Sequence, residues 1–231
     1  MTSNTLPLGG GGGQTVQRVR VYGLLKMGER EHLEDLCHHG RLLMRPLSSF
    51  VARELGPERF DRNEGVSQHL QPKDITSLTI KTKDRTIILG RERFRGPLRI
   101  SDGREAMFNI YCMTAITSAN ASAQFDVRLR EFGNAIAVIL NVEEFVARFL
   151  TAVTNKGTEL RHGLVRYVDE SRYSGEWGPF TKSMRFHHQR EFRFALVPGT
   201  GQPLALQLGS LEDICVVGTD IAIPGGATLR V

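Results

Sequence analysis

Hydrophobic and polar residues alternate strictly in the late part of the chain, between residues 190 and 197. Phe192 and Phe194 point to one side of such a segment, and Glu191 points to the other, because successive side chains of a strand face opposite ways. One side is therefore core, which gives Glu191 a defined orientation. The pattern predicts a strand with an apolar face and a charged face.

Two other segments have the spacing of helices. Residues 29–39 place three apolar residues on one face, and Gly40 follows as a C-terminal cap. After Asn141, a residue that favours helix N-caps, apolar residues recur at positions i, i+3, i+4, i+7, i+8 and i+11. Gly157 is expected to end this second helix.

Shorter apolar runs predict the remaining elements. Residues 47–72 and 169–187 are polar and are expected to be loops, and a short helix is expected at residues 125–132. Strands and helices follow one another irregularly, which favours an α+β fold with a mixed, mostly antiparallel sheet and two to four helices over a doubly wound sheet. Further strands are predicted at residues 16–21, 42–44, 75–82, 86–89, 108–114, 135–140, 164–168, 204–208 and 214–217.

The N-terminus differs from the rest of the chain in composition. A run of five glycines ends at Gly13, and ordering glycine costs the most backbone entropy, so residues 1–14 are expected to form a flexible tail. Residues 15–231 contain nothing that resembles a linker and are expected to form a single domain. The absence of about 18 consecutive apolar residues excludes a membrane-spanning helix. With no secretory signal pattern, we expect a cytoplasmic protein.

Charge and cysteine usage narrow the functional classes. The chain has a net charge of +5, which permits binding to nucleic acid or to a phosphate-bearing ligand. Arginines on solvated strand faces are the other explanation of this charge. Three widely spaced cysteines in apolar surroundings indicate buried free thiols. They are Cys37, Cys112 and Cys215.

Known phosphate-binding and metal-binding signatures are absent from the sequence. Its two pairs of adjacent histidines do not predict a metal site, because neighbouring side chains point in different directions. Residues 59–65 form a first charged cluster, in which Asp61 and Glu64 are suited to hold a divalent ion or to position a nucleophile. Alternatively, these carboxylates pair with Arg59 and Arg62 in a surface loop.

Residues 187–193 form a second charged cluster, at the start of the alternating strand. Gln189 lies on the same face as Glu191, and the preceding loop contains Trp177 and other aromatic residues. A Gln-x-Glu pair after an aromatic loop is similar to the catalytic arrangement of mono-ADP-ribosyltransferases. The alternative is an exposed ion pair between Glu191 and Arg193 along the strand.

Three segments carry a family resemblance: residues 42–50, 59–65 and 179–194. Their order resembles a group of uncharacterised bacterial proteins linked to abortive infection and phage defence. Chains of that group begin with a strand and a helix, pass a loop with Phe and Asp, and end with a lysine before a (Glu/Gln)-x-Glu-(aromatic)-Arg strand. Here Phe50 is not followed by the Asn-Asp-Pro that is common in the group.

The resemblance to transferases implies a set of roles, with NAD as the substrate. Glu191 would be the catalytic residue that stabilises the oxocarbenium-like state, and Gln189 would orient the acceptor. The protein would then be a toxin or a defence effector that modifies a protein or a nucleic acid. The implied NAD contacts are Arg18 or Arg20 with Tyr22 on the first strand, Thr114 or Thr117-Ser118 on a middle strand, and Trp177.

Two alternatives remain open from the sequence alone. The first is a nucleic-acid-directed enzyme or binder, whose arginines between residues 85 and 99 contact phosphates. In that hypothesis Asp61, Glu64 and Glu191 gather a magnesium ion. The second is a non-catalytic structural or assembly protein, such as a virion component, whose glycine-rich arm docks on a neighbouring subunit.

Overall fold

A computed structural model describes residues 19–51, 56–103, 107–120, 125–154, 156–223 and 227–230, with the backbone alone from residue 220 onward. Within these residues there are two α-helices, α1 (Arg30–His39) and α2 (Val142–Val153). Short 3-10 segments occur at Leu47–Val51, Pro72–Asp74, Arg91–Arg93, Val127–Phe132 and Met184–Gln189. The strands are β1 (Val21–Gly28), β2 (Arg41–Pro46), β3 (Gln68–Leu70), β4 (Ser77–Lys81), β5 (Thr86–Gly90), β6 (Leu98–Ile100), β7 (Asn109–Thr117), β8 (Ala135–Ile139), β9 (Glu159–Leu164), β10 (Arg166–Val168), β11 (Gly175–Glu176), β12 (Thr181–Ser183), β13 (Glu191–Val197), β14 (Leu204–Gln207), β15 (Cys215–Gly218), β16 (Asp220–Ile223) and β17 (Ala227–Arg230).

The main sheet has eight strands and is antiparallel throughout, which confirms the predicted α+β fold. Its long path runs in the order β14-β2-β7-β1-β8-β15, and β13 joins β7 to β9. β7 pairs with three other strands of the sheet. β13 pairs with its residues 109–114, β1 pairs with residues 114–117, and β2 pairs with residues 109–110. β13 therefore lies beside the centre of the sheet.

Both helices cover one face of this sheet, which we call the helix-covered face. α1 ends at Gly40, which adopts the left-handed conformation (φ 64°) that its position as C-cap requires. α2 begins at Asn141, whose side-chain oxygen accepts a hydrogen bond of 3.0 Å from the backbone N–H of Glu144. Phe149 of α2 stacks on Phe194 of β13 with ring centroids 4.6 Å apart, so this face packs around aromatic side chains.

The opposite face of the sheet is covered by loops, and we call it the loop-covered face. Along β7 this face begins and ends with an apolar side chain, Ile116 and Ile110, each in its own small buried cluster. Between them the strand register places Glu191 opposite Thr114 and Arg193 opposite Cys112. Charged side chains therefore occupy the middle of a buried surface.

Several predicted elements differ from the observed ones. β1 begins at Val21, so Arg20 precedes the strand instead of belonging to it. α2 ends at Val153 and not near Gly157, because Thr154 leaves the helical conformation (ψ 139°). The predicted loop at residues 169–187 contains β11, β12 and the start of a 3-10 segment. Arg18 and the predicted tail at residues 1–14 lie outside the described residues.

Other predictions are confirmed. The strands predicted at residues 75–82 and 86–89 form the hairpin of β4 and β5. All three cysteines are free; Cys37 and Cys215 are buried as expected, whereas Cys112 is half-buried. No described helix has both the length and the apolar character needed to cross a membrane.

Candidate functional site

The two charged clusters of the sequence meet on the loop-covered face. Arg193 donates from Nε to Glu191 Oε1 at 2.6 Å and from Nη1 to Glu64 Oε2 at 3.0 Å. Its Nη2 also bonds Glu64 Oε1. Arg193 is only 1% exposed, so a buried guanidinium joins two carboxylates from distant parts of the chain.

Lys182 of β12 is the second cation of this site. Its Nζ donates to Glu191 Oε2 at 3.0 Å and to Gln189 Oε1 at 2.8 Å. Gln189 in turn donates from Nε2 to the backbone oxygen of Glu58 at 2.7 Å. We call the set Glu64, Lys182, Gln189, Glu191 and Arg193 the ionic network. It contains two carboxylates and two cations, so its formal charges cancel.

Electrostatics keeps Glu191 and Arg193 ionised although they are buried. Burial alone raises the pKa of Glu191, but Arg193 and Lys182 outweigh that effect and hold this pKa far below its usual value. Burial lowers the pKa of Arg193, and the two carboxylates reverse the shift and raise it. Each charge is therefore stabilised by its partners within the ionic network.

Asp61 lies near the ionic network and differs from it. The side chain is 1% exposed, and its Oδ1 accepts a hydrogen bond of 2.9 Å from the backbone N–H of Asn63. No described group bonds its Oδ2. Burial, followed by the negative charge of Glu64, raises the pKa of Asp61 to about 6. This carboxyl group therefore exchanges its proton close to neutral pH.

The predicted alternative of local ion pairs in a surface loop is wrong for residues 59–65. Asp61 and Glu64 are both buried. Arg62 pairs with Glu170 at 3.1 Å, and Arg59 lies over the ring of Phe132 at 5.4 Å. The reason is topological, because the loop folds under β13 and meets Arg193, a cation 129 residues away in sequence.

The expected pairing of Glu191 with Arg193 does occur, but it is buried and not exposed, with both side chains at most 6% exposed. Three other groups around this pair had no role predicted from their sequence positions. Lys182 belongs to a segment that carries the family resemblance, and no contact was predicted for it. The hydroxyl of Tyr167 accepts a hydrogen bond of 2.8 Å from the backbone N–H of Glu191. Cys112 lies opposite Arg193 in the sheet register. The alternation of polar and apolar residues in β13 could not predict these contacts, because the three residues lie on other strands.

The predicted NAD contacts lie in separate places. Thr114 is opposite Glu191 in the sheet register. Arg20 is exposed and pairs through its backbone with Ser118, and Tyr22 is 54% exposed. Trp177 is buried, with its ring 5.1 Å from that of His69. The described hydrogen bonds and ion pairs of Glu191 and Gln189 involve none of these side chains.

Glu191 does not line either of two clefts on the described surface. One, of about 330 Å³, contains Tyr173 and Trp177. Pro179 also lines this cleft, and its backbone oxygen accepts a hydrogen bond of 2.6 Å from Arg193. The other, of about 650 Å³, lies at the C-terminal end of α2. The ionic network thus touches the wall of the first cleft without opening into it.

The magnesium site that was considered from the sequence is not formed by the described residues. These contain no group of three or more histidine, cysteine, aspartate or glutamate side chains placed to hold a metal ion. Arg193 lies between Glu64 and Glu191, in the place that a cation would take. Its guanidinium already supplies the positive charge there.

A second candidate site is a charged surface, which we call the basic hairpin and define as residues 73–99. It consists of β4, β5, the Arg91–Arg93 turn and their flanks. Eight lysines and arginines and three acidic residues lie in it, so its net charge equals the +5 of the whole chain. Seven of these cations are exposed: Lys73, Lys81, Lys83, Arg85, Arg91, Arg93 and Arg95.

Comparisons of the chain with protein-family models, curated proteins and solved structures found no match. The family resemblance therefore stays a prediction. The two candidate sites have to be judged by their own geometry.

Proposed function

We propose that this protein binds nucleic acid and that the basic hairpin makes the phosphate contacts. The observation that carries the proposal is the segregation of charge. Outside the basic hairpin the chain has 22 cationic and 22 acidic side chains, which balance. A concentrated positive surface on a neutral protein attracts a polyanion by Coulombic forces and by release of counterions.

The state of these cations supports the proposal. Several arginines elsewhere on the described surface form ion pairs, as Arg148 does with Asp213 and Arg161 with Glu159. None of the seven exposed cations of the basic hairpin forms an ion pair with a described residue. Their charge remains available to phosphates.

The size of the surface points to a polymer. Each five-residue strand of the hairpin is about 17 Å long at roughly 3.4 Å per residue. Duplex DNA carries about one charge per 1.7 Å of its axis, so the hairpin spans several phosphates. A small phosphate ligand would leave most of these cations unused.

ADP-ribosyl transfer has less support from the geometry. A catalytic glutamate must reach the ribose of NAD, whereas Glu191 is 5% exposed and bonded to Lys182 and Arg193. This hypothesis has a direct test in NAD consumption. A transferase would lose activity in Glu191→Gln, and a wild-type protein that consumes no NAD would contradict the hypothesis.

Nucleic-acid binding can be tested by fluorescence anisotropy with a labelled 20-nucleotide DNA, single-stranded or duplex, between 50 and 200 mM salt. We expect affinity to fall steeply with salt, because each phosphate contact releases counterions. A triple variant, Lys81→Ser, Lys83→Ser and Arg85→Ser, should bind at least about tenfold more weakly and show a shallower salt slope.

The matched control removes three exposed cations elsewhere: Arg41→Ser, Arg161→Ser and Arg172→Ser. Their side chains are 60%, 53% and 87% exposed. Both triple variants lose the same net charge, so the comparison separates a local site from the overall charge. Equal losses in the two triples, or no binding by the wild type, would overturn the proposal.

A further inference from the structure

We infer that the basic hairpin recognises duplex DNA by placing the outward face of its two-stranded ribbon in the major groove. This inference rests on the proposed function. Its starting point is the register of β4 and β5, which pairs Thr79 with Ile88 and Lys81 with Thr86. These side chains share one face, since directly opposed residues of an antiparallel pair point to the same side.

The two faces of the ribbon differ in exposure. The other face carries Leu78, Ile87 and Leu89, which are half-buried, and Ile80, which is 40% exposed, so it is the more buried face of the ribbon. On the outward face the half-buried Gly90 lies at the end of β5, the other residues are exposed, and Ile88 is 69% exposed at the centre. An apolar side chain at the centre of an exposed strand face, surrounded by threonine and lysine, is suited to contact a partner.

The ribbon has the dimensions of this groove. Paired strands lie about 4.8 Å apart, and the major groove is about 12 Å wide and 8.5 Å deep, which admits a two-stranded ribbon. The minor groove, about 6 Å wide, does not. The duplex is therefore the form of nucleic acid that fits the outward face.

The chemistry of the outward face matches the base edges of the major groove. Threonine hydroxyls both donate and accept hydrogen bonds, lysine donates to guanine O6 and N7, and an apolar side chain contacts the thymine methyl group. Thr79 provides the hydroxyl, Lys81 provides the lysine donor, and Ile88 provides the apolar side chain. The face therefore offers direct contacts to bases, which phosphate-binding lysines alone do not.

Cations lie beyond both ends of the ribbon. Lys83 and Arg85 are at the turn between the strands, and Arg91, Arg93 and Arg95 follow the end of β5. A ribbon lying in the groove would bring the two groups toward the sugar-phosphate backbone, where arginine and lysine set the register of the protein on the duplex. Charge complementarity thus supports duplex DNA as the occupant of this face.

The first test compares a 20-base-pair DNA duplex with single-stranded DNA and RNA of the same length. We expect tighter binding of the duplex. Ile88→Glu should weaken duplex binding at least about tenfold, because it puts a negative charge into the groove. The control Val216→Glu makes the same change at another exposed strand position, 49% exposed, and should weaken binding less than threefold.

The second test probes the groove with the wild-type protein and so does not depend on the folding of a variant. A duplex with glucosylated hydroxymethylcytosine has a filled major groove, and netropsin fills the minor groove. We expect glucosylation to abolish the preference for duplex and netropsin to leave it unchanged.

Several outcomes would overturn the inference alone: displacement by netropsin, indifference to glucosylation, tighter binding of single strands, or wild-type affinity in a folded Ile88→Glu variant. In each of these cases nucleic-acid binding itself still stands. Failure of the wild type to bind any of the nucleic acids would overturn the proposed function together with the inference.

Discussion

The two faces of the central sheet are both buried, but they are held by different forces. On the helix-covered face, Phe145 and Phe149 of α2 pack against Phe194 of β13. On the loop-covered face, the same strand presents Glu191 and Arg193. One strand therefore contributes aromatic packing to one side and an ion pair to the other.

This difference shows that two equally buried surfaces can stabilise the fold in different ways. Hydrophobic packing is non-directional and scales with the apolar area that is buried. The ionic network depends on direction and on completeness, because a buried charge without its partner costs several kcal/mol. We therefore expect the loop-covered face to be the more sensitive to single substitutions and to pH.

The largest effect is expected for Arg193→Met. Removal of this cation leaves Glu64 and Glu191 buried without their main partner, at a cost of about 3–5 kcal/mol in the free energy of unfolding. Urea denaturation measures it. In the double variant with Glu64→Gln, in which Lys182 still pairs with Glu191, at least half of the loss should be recovered. A single variant that costs less than about 1 kcal/mol would mean that the network is not the organising feature of this face.

The next effect concerns Asp61→Asn and pH. The pKa of Asp61 is about 6 in the fold and about 3.9 in an unfolded chain, so the ionised carboxylate opposes folding, by up to about 3 kcal/mol above pH 6. The favourable contribution of the protonated form is complete below pH 4 and is lost as pH rises through 6. The asparagine variant should therefore gain stability over the wild type between pH 4 and pH 7. Thermal unfolding at several pH values measures this gain, and a constant difference would contradict the assignment.

A smaller effect is expected on the helix-covered face. Ile139 is fully buried in the cluster under the helices, and Ile139→Val should cost about 0.5–1.5 kcal/mol through the loss of one methylene. Burial raises the pKa of the ionisable groups in this cluster, Cys37, Tyr111 and Cys215, so they stay neutral and the cost should be the same from pH 4 to pH 8. A cost that changes with pH would show that the two faces are coupled.

The smallest effect is expected for Arg148→Met, the surface counterpart of Arg193→Met. Arg148 bonds Glu144 at 2.8 Å and Asp213 at 2.5 Å, and these partners are 43% and 58% exposed. Solvent and salt screen such pairs, so the loss should be below about 1 kcal/mol and should shrink further in high salt. A cost as large as that of Arg193→Met would remove the distinction between buried and exposed arginines in this protein.

Local patterns were sufficient for several parts of the fold. The helical spacing after Asn141 predicted α2, and strict alternation predicted β13 with its apolar and charged faces. Both patterns depend on backbone geometry within a few residues. The end of α2 and the start of β1 were less accurate, since Thr154 leaves the helical conformation and β1 begins where Val21 pairs with Thr117 of β7.

The candidate site was predictable only in pieces. The sequence identified Asp61, Glu64 and Glu191 as carboxylates of interest, and it paired the first two with their nearest arginines. The structure instead pairs Glu64 with Arg193 and places Lys182 against Glu191. Contacts across such distances depend on how the strands align and on which loop covers them, which no local spacing records.

The sequence by itself determined the α+β character, the amphipathic elements and the concentration of charge in the basic hairpin, because each of these follows from the order of neighbouring residues. The tertiary structure alone decided that the carboxylates of two distant segments share one guanidinium, and that the hairpin turns its exposed face outward. The physical reason is that burial and pairing are properties of surfaces brought together by the sheet. The sequence contains the charged groups, but it does not show which of them pair in the fold.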